Sequence, residues 1–230
     1  MKLLVRGNSN PDCDYCELHE YPKSVCVPMV HFKDSLPPST SDKSILFIGQ
    51  NPGWNEDQQN EPFVGKSGQL VKEAYIKGCK LHERASIYLT NGVRCHTEAN
   101  ETPKPRHFLQ CDQYLEKDIQ DIQDTLASPD NLIIVTLGAP ATTALWKNFL
   151  DERRVSLQES FNRNGNYVSS FLNTHDFTVF STYHPAAVLR NNNYINAVAA
   201  HMQLVSDCLD GVMAQPSQPD IVPTRSPRKE

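Results

Sequence analysis

Residues 45–53 read Ile45-Leu46-Phe47-Ile48-Gly49-Gln50-Asn51-Pro52-Gly53. The uninterrupted apolar run suits a strand buried on both faces. The Gly-x-x-Pro-Gly that follows cannot continue as strand or helix. The same alternation recurs downstream. From Ser67 to Lys80 the apolar positions Leu70, Val71, Ala74 and Tyr75 fall at helical spacing. Ser86-Ile87-Tyr88-Leu89-Thr90 is a second strand, stopped by Asn91-Gly92. Pro105 suits a helix first turn, and Phe108, Leu109, Tyr114, Leu115, Ile119 and Ile122 carry that helix toward Leu126. Leu132 to Leu137 is a third strand closed by Gly138, and Ala141 to Leu150 is helical. Phe177-Thr178-Val179-Phe180 is a fourth strand ending before His184-Pro185, and Tyr194 to Leu209 is the last long helix. This order predicts a three-layer α/β/α fold on a central, mainly parallel four-stranded sheet. Ligands of such sheets bind outside the carboxyl ends of the strands. Here those ends are Gln50/Asn51, Asn91, Gly138 and His184, three polar groups and a glycine on one rim.

Composition bounds the rest. The 230 residues suit one domain over 1–213, with a Cys-containing N-terminal segment 1–43 packed on the core. The proline-rich, polar stretch 214–230 is expected to be a disordered tail, with Arg225, Arg228 and Lys229 solvated. No apolar stretch approaches the ~20 residues of a membrane helix, and the start turns polar too soon for a signal-peptide core. A cytoplasmic monomer is expected, associated with the nucleoid if the source is prokaryotic or viral. The net charge of −5 excludes holding nucleic acid by bulk positive charge, although the 22 Lys and Arg residues leave room for a local basic groove.

Seven cysteines in a reducing compartment point to metal ligation or free thiols rather than a disulfide framework. Cys13 and Cys16 form a C-x-x-C, and Cys95 and Cys111 supply a second, wider pair. Spacing does not choose between structural zinc and an iron–sulfur cluster, since both accept four thiolates. Cys26, Cys79 and Cys208 fit neither pair and read as buried small hydrophobes. Gly65-Lys66-Ser67 invites a phosphate-loop reading, which fails because Asn60 stands where the pattern needs glycine. What survives is a glycine-flanked turn opening a helix at Ser67-Gly68, whose free N–H groups suit one phosphate. In Tyr183-His184-Pro185-Ala186-Ala187-Val188-Leu189-Arg190, an exposed-looking Val188-Leu189 beside Arg190 is odd on a loop. Apolar wedges of this kind occur in proteins that unstack bases.

In this order and spacing, these constellations resemble the uracil-DNA glycosylase superfamily, and within it the iron–sulfur branch, family four. The residues that carry the resemblance are Cys13/Cys16, Gln50-Asn51-Pro52-Gly53, Phe63-Val64-Gly65, Asn91-Gly92-Val93-Arg94-Cys95, Cys111 and His184 to Arg190, roughly residues 11 to 210. Each motif is weak alone; in register they are specific. The resemblance implies a monofunctional enzyme of base excision repair that flips uracil out of DNA and hydrolyses its N-glycosidic bond. It implies a structural [4Fe–4S] cluster on Cys13, Cys16, Cys95 and Cys111. Phe63 would stack under the flipped base, Asn91 would read its edge, and His184 would donate to the uracil O2. Leu189 would fill the gap in the stack, while Arg190 and the Ser67-Gly68 turn would hold phosphates.

One departure bears on the chemistry. Family four carries Glu and Ala where this chain has Gln50 and Asn51. Asn51 is similar to the turn of the mismatch-specific and single-strand-selective branches. An amide is no general base, yet it can orient a water against an oxocarbenium-like sugar. Gln50, Asn51 and His184 are therefore the expected catalytic group, with slower chemistry than in a carboxylate-bearing relative and a wider base range. The competing readings are excision of another deaminated or modified base, and a catalytically weak or inactive binder of uracil-DNA on the same scaffold.

Overall fold

The computed structural model describes residues 10–38, 41–128, 131–149, 156–162 and 178–211. The chain start, the tail 214–230 with its Arg225, Arg228 and Lys229, and Phe177 lie outside the described residues. Among the described residues five strands form one sheet: β1 (Val30–His31), β2 (Ser44–Gly49), β3 (Ser86–Asn91), β4 (Leu132–Leu137) and β5 (Thr178–Thr182). Their order is β1-β3-β2-β4-β5. β2 pairs in parallel with both β3 and β4, and β4 with β5, while β1 runs antiparallel to β3. The four predicted strands are all present. The sheet is five-stranded rather than four-stranded because Val30–His31 adds a two-residue edge, too short to show a period of its own.

The helices are α1 (Trp54–Gln59), α2 (Lys66–Leu70, continued by a π-helical turn over Val71–Lys77), α3 (Pro105–Gln123), α4 (Gly138–Phe149), α5 (Leu157–Asn162), α6 (Pro185–Arg190) and α7 (Ile195–Leu209). Alternation along the central strands divides the core. Ile45, Phe47, Ile87, Leu89 and Val135 face Val71, Tyr75 and Ile76 of the α2 segment and Val198, Met202 and Val205 of α7. Leu46, Ile48, Tyr88 and Ile134 face Leu115, Ile119 and Ile122 of α3 and Leu145 of α4. These are the two flanking layers, and β2 is buried along its whole length. Among the described residues no helix is long and apolar enough to cross a membrane.

Local corrections follow from this packing. The 184–190 stretch read as a loop is the helix α6. Pro185 occupies its first turn, and His184 caps it, its Nδ1 accepting from the Ala186 N–H at 3.2 Å. Val188 on this helix is therefore buried in the core, at 4% exposure, and only Leu189 is exposed, at 52%. Among the three remaining cysteines Cys26 is buried as expected, whereas Cys79 and Cys208 are only half-buried.

The Cys-containing segment is fastened to the core by polar contacts. Asp57, buried on α1, accepts the backbone N–H groups of Lys23 (3.0 Å) and Ser24 (2.8 Å). Glu17 pairs with Arg106 and His107 at the start of α3, and these two partners hold its carboxyl down at about 2. Asn10 donates to the Tyr114 hydroxyl at 3.1 Å.

Candidate active site

The carboxyl ends of the parallel strands open into a cleft of about 620 Å³. Gln50, Asn51, Phe63, Ser67, Gly68, Asn91, His184 and Arg190 all line it. Leu189 does not line the cleft; it projects from α6 next to Arg190. The thiols of Cys13, Cys16, Cys95 and Cys111 form a separate group.

Glycines let these side chains converge. A Cβ on Gly49 would stand 2.4 Å from Asn91 Oδ1 and 2.9 Å from Phe63 Cζ, so the amide and the ring both press against the end of β2. Gly138 has φ +82°, and a Cβ there would meet His184 Cβ at 2.8 Å. Any larger residue at the end of β4 would push the histidine away. Phe63 itself is 7% exposed and sits at φ +61°, a strained conformation for an aromatic residue. Gly68 packs directly under the Phe63 backbone, where a Cβ would overlap the Phe63 carbonyl oxygen at 2.1 Å.

The cap on α6 settles the tautomer of His184. Because Nδ1 accepts the Ala186 N–H, the ring hydrogen sits on Nε2. Burial, reinforced by the charge of Arg190, lowers the imidazole to about 4, so the ring is neutral at physiological pH. His184 is thus a fixed, uncharged N–H donor facing a cleft.

Asn51 is oriented just as closely. Thr97, 3% exposed, spends its hydroxyl hydrogen on Glu101 O at 2.6 Å. Its Oγ1 therefore accepts at 3.3 Å, and the group facing it must be Asn51 Nδ2. The same Nδ2 donates to Pro52 O (3.0 Å), and Gln50 Nε2 donates to Asn51 Oδ1 (3.2 Å). One lone pair on Oδ1 is left for a water. Replacing Thr97 by valine keeps the shape and removes the acceptor, freeing the amide to turn. The expected result is a fall of about tenfold in the single-turnover rate, the scale of one lost hydrogen bond. Substrate affinity should be unchanged and Thr97→Ser should restore the rate; a valine variant at full rate would dissociate Thr97 from Asn51.

Thr97, Glu56 and Trp54 were not singled out from the sequence. Glu56 lines the cleft, and its Oε1 accepts the Gly65 N–H at 2.7 Å, tying the two glycine-containing turns together. Its signal was the position three residues after Gly53, where an acidic side chain suits a helix start.

Behind the cleft, the backbone N–H groups of Gly92 and Val93 donate to the Gly49 and Gln50 carbonyls, both at 3.0 Å. This clamps the turn after β2 against the segment leading to Cys95. Cys95 and Cys111 are each 5% exposed and share a packed cluster with Cys16 and Phe108. Burial pushes both buried thiols up to about 12. Cys95 lies near Cys26, Cys16 and Cys13, and Cys111 near Cys95 and Cys16. Among the described residues no three His, Cys, Asp or Glu side chains are gathered to grip a metal ion. The donor chemistry nonetheless fits an iron–sulfur cluster: Cys16, Cys95 and Cys111 pack in one cluster with Cys13 close by, and the Glu17 contacts fasten the N-terminal segment to α3.

Comparison with known proteins accords with this arrangement. The family model for the uracil DNA glycosylase superfamily matches residues 37–204. A type-4 uracil-DNA glycosylase of Saccharolobus solfataricus is 32% identical over 160 residues, covering 69% of this chain and 68% of its own. That of Sulfurisphaera tokodaii is 35% identical over 149 residues, covering 65% of this chain and 62% of its own. That of Pyrobaculum aerophilum is 31% identical over 181 residues, covering 78% of this chain and 80% of its own.

Proposed function

The chain belongs to the uracil DNA glycosylase superfamily, and from that premise we propose that it excises uracil from DNA by hydrolysing the N-glycosidic bond, as a monofunctional base excision repair enzyme. The observation that carries this reading is the neutral Nε2–H of His184, held by the α6 cap and facing the same cleft as Phe63 and Asn91. A flipped uracil stacks on Phe63, and the Asn91 amide donates to its O4 and accepts from N3–H. As the C1′–N1 bond breaks, its electron pair leaves with the base and charge gathers on O2. The His184 donor meets that oxygen, so its hydrogen bond strengthens toward the transition state.

Asn51 Oδ1 holds the attacking water, while Gln50 and Thr97 hold Asn51. The water oxygen bonds to C1′ and its proton passes to solvent. With no carboxylate at this turn, the water is oriented but not deprotonated, so the chemistry is slower than with a general base. Leu189 enters the gap in the stack, and Arg190 and the Ser67-Gly68 turn contact phosphates.

The test is a single-turnover excision assay on oligonucleotides bearing uracil, hypoxanthine, xanthine or thymine. An abasic product from uracil is expected. DNA binding with no cleavage of any base would replace this reading with that of a binding protein, which the amide at Asn51 makes the alternative to exclude.

Cys13, Cys16, Cys95 and Cys111 would hold a [4Fe–4S] cluster. When bound it supplies a covalent cross-link between the N-terminal segment, the β3 end and α3, with no redox step in the reaction. The clamp from Gly92 and Val93 to Gly49 and Gln50 would transmit that rigidity to the floor of the cleft. Cys95→Ser should yield colourless protein with reduced solubility and no absorbance near 400 nm (roughly the thiolate–iron charge-transfer region). A brown, stable variant would show that the metal is held elsewhere.

A further inference from the structure

We propose that Trp54 is a stacking site for the unpaired base next to the flipped nucleotide, and so favours uracil in single-stranded DNA. This rests on the glycosylase reading above and adds a second base site to it.

Trp54 is the first residue of α1 and lines the cleft, yet 62% of it is exposed. The contrast with Phe63 is informative: that ring is 7% exposed and deep in the cleft, whereas the indole stands at the lip. Tyr183, by contrast, is stacked on Tyr194 at 4.3 Å. Such a large apolar ring left in water at the mouth of the cleft has a face to offer.

The turn presenting it is already rigid. Asp57 fastens α1 to Lys23 and Ser24 on one side, and Glu56 fastens it to Gly65 on the other. Stacking on Trp54 therefore requires little ordering of the protein, which preserves the gain. Ala186 and Arg190 line the same cleft from α6. A strand whose uracil enters the cleft must then pass its neighbouring nucleotide over the lip. In a duplex that neighbour keeps its own stack and partner; in a single strand it is free to lie on the indole. Base–aromatic stacking is tolerant of sequence because every base has a π-face. It also suits a chain of net charge −5, whose bulk electrostatics do not favour DNA.

The measurement is fluorescence anisotropy of wild type, Trp54→Ala and Trp54→Phe on oligonucleotides carrying 2′-fluoro-2′-deoxyuridine. The fluorine withdraws charge from the sugar and blocks cleavage. On the single strand, Trp54→Ala should lose about tenfold in affinity, the scale of one stacked base, while Trp54→Phe stays near wild type. The slope of affinity against salt should be the same in all three, because no phosphate contact is removed. On duplex DNA the loss should be under about twofold. Indole emission should be quenched on binding in wild type and not in Trp54→Ala. Equal single-strand affinity of wild type and Trp54→Ala would overturn the stacking site while leaving the glycosylase reading intact. Failure of the wild type to bind either DNA would overturn both. Because Trp54 is exposed, its truncation should not disturb folding, and a thermal melt of each variant checks this.

Discussion

Replacing His184 by alanine should slow uracil excision by on the order of a hundredfold or more, as loss of one oxyanion-type donor does. The loss should appear in the single-turnover rate more than in DNA affinity, because the donor matters most once charge has reached O2. The pH dependence is a sharper test. Burial and Arg190 lower the folded-state imidazole to about 4, so the neutral Nε2–H donor persists down to roughly that pH. Excision should then show no ionisation of this histidine between about pH 5 and 8. Below that range a proton on Nδ1 would face the Ala186 N–H, breaking the cap and the ring's orientation together. The same depression has a stability consequence. The unfolded chain binds the proton first, so stability falls as pH drops from the ordinary histidine range near 6.5 toward 4. An excision rate that titrates near pH 6.5 would mean that a charged imidazolium acts instead.

Why some of this was legible in the sequence and some was not has particular causes. β2 and β4 announce themselves because both faces are buried, which leaves no polar alternation to confuse with a helix. The ends of β2, β3 and β5 then place Asn51, Asn91 and His184 on one rim by topology alone. α1 escaped notice because Trp54-Asn55-Glu56-Asp57-Gln58-Gln59 has no apolar period; it is held by the carboxylates of Glu56 and Asp57 rather than by a buried stripe. α6 read as a loop because its cap is a histidine, where Ser, Thr, Asp or Asn is the usual signal. Thr97 was out of reach for another reason. It reaches Asn51 across 46 positions of sequence, on a loop that turns back through Ala99 and Asn100 at φ +50° and +56°. Asn100 suits such a turn, but Ala99 beside it does not announce one as glycine would.

The largest stability effect should come from a residue beside the site. Arg94 lies between Asn91 and Cys95 and is 1% exposed, paired with the fully buried Asp118. Its guanidinium also donates to Val27 O (3.1 Å) and Tyr114 O (3.4 Å), and Thr90 donates to Asp118 Oδ2 at 3.0 Å. One cation thus joins β3, α3 and the Cys-containing segment. The pair is dear to bury: desolvation pushes the Asp118 carboxyl up, with Arg94 and Thr90 opposing it, and Arg94 Nε and Asp118 Oδ1 find no partner among the described residues. Arg94→Met should therefore destabilise the protein by about 3–5 kcal/mol, because it strands a buried carboxylate. For a chain of this size that is a fall of roughly 6–20 °C in Tm. The deficit should grow with pH. With the cation gone the folded carboxyl rises further, the folded state holds its proton more tightly than the unfolded chain, and stability falls as pH climbs above about 4. Converting Asp118 to leucine in the same chain removes the stranded charge and should recover most of the loss. A double variant as unstable as the single one would mean that Arg94 acts through its carbonyl contacts to Val27 and Tyr114 instead. In that case the cation's task is to hold the Cys-containing segment against α3, and the carboxylate is incidental to it.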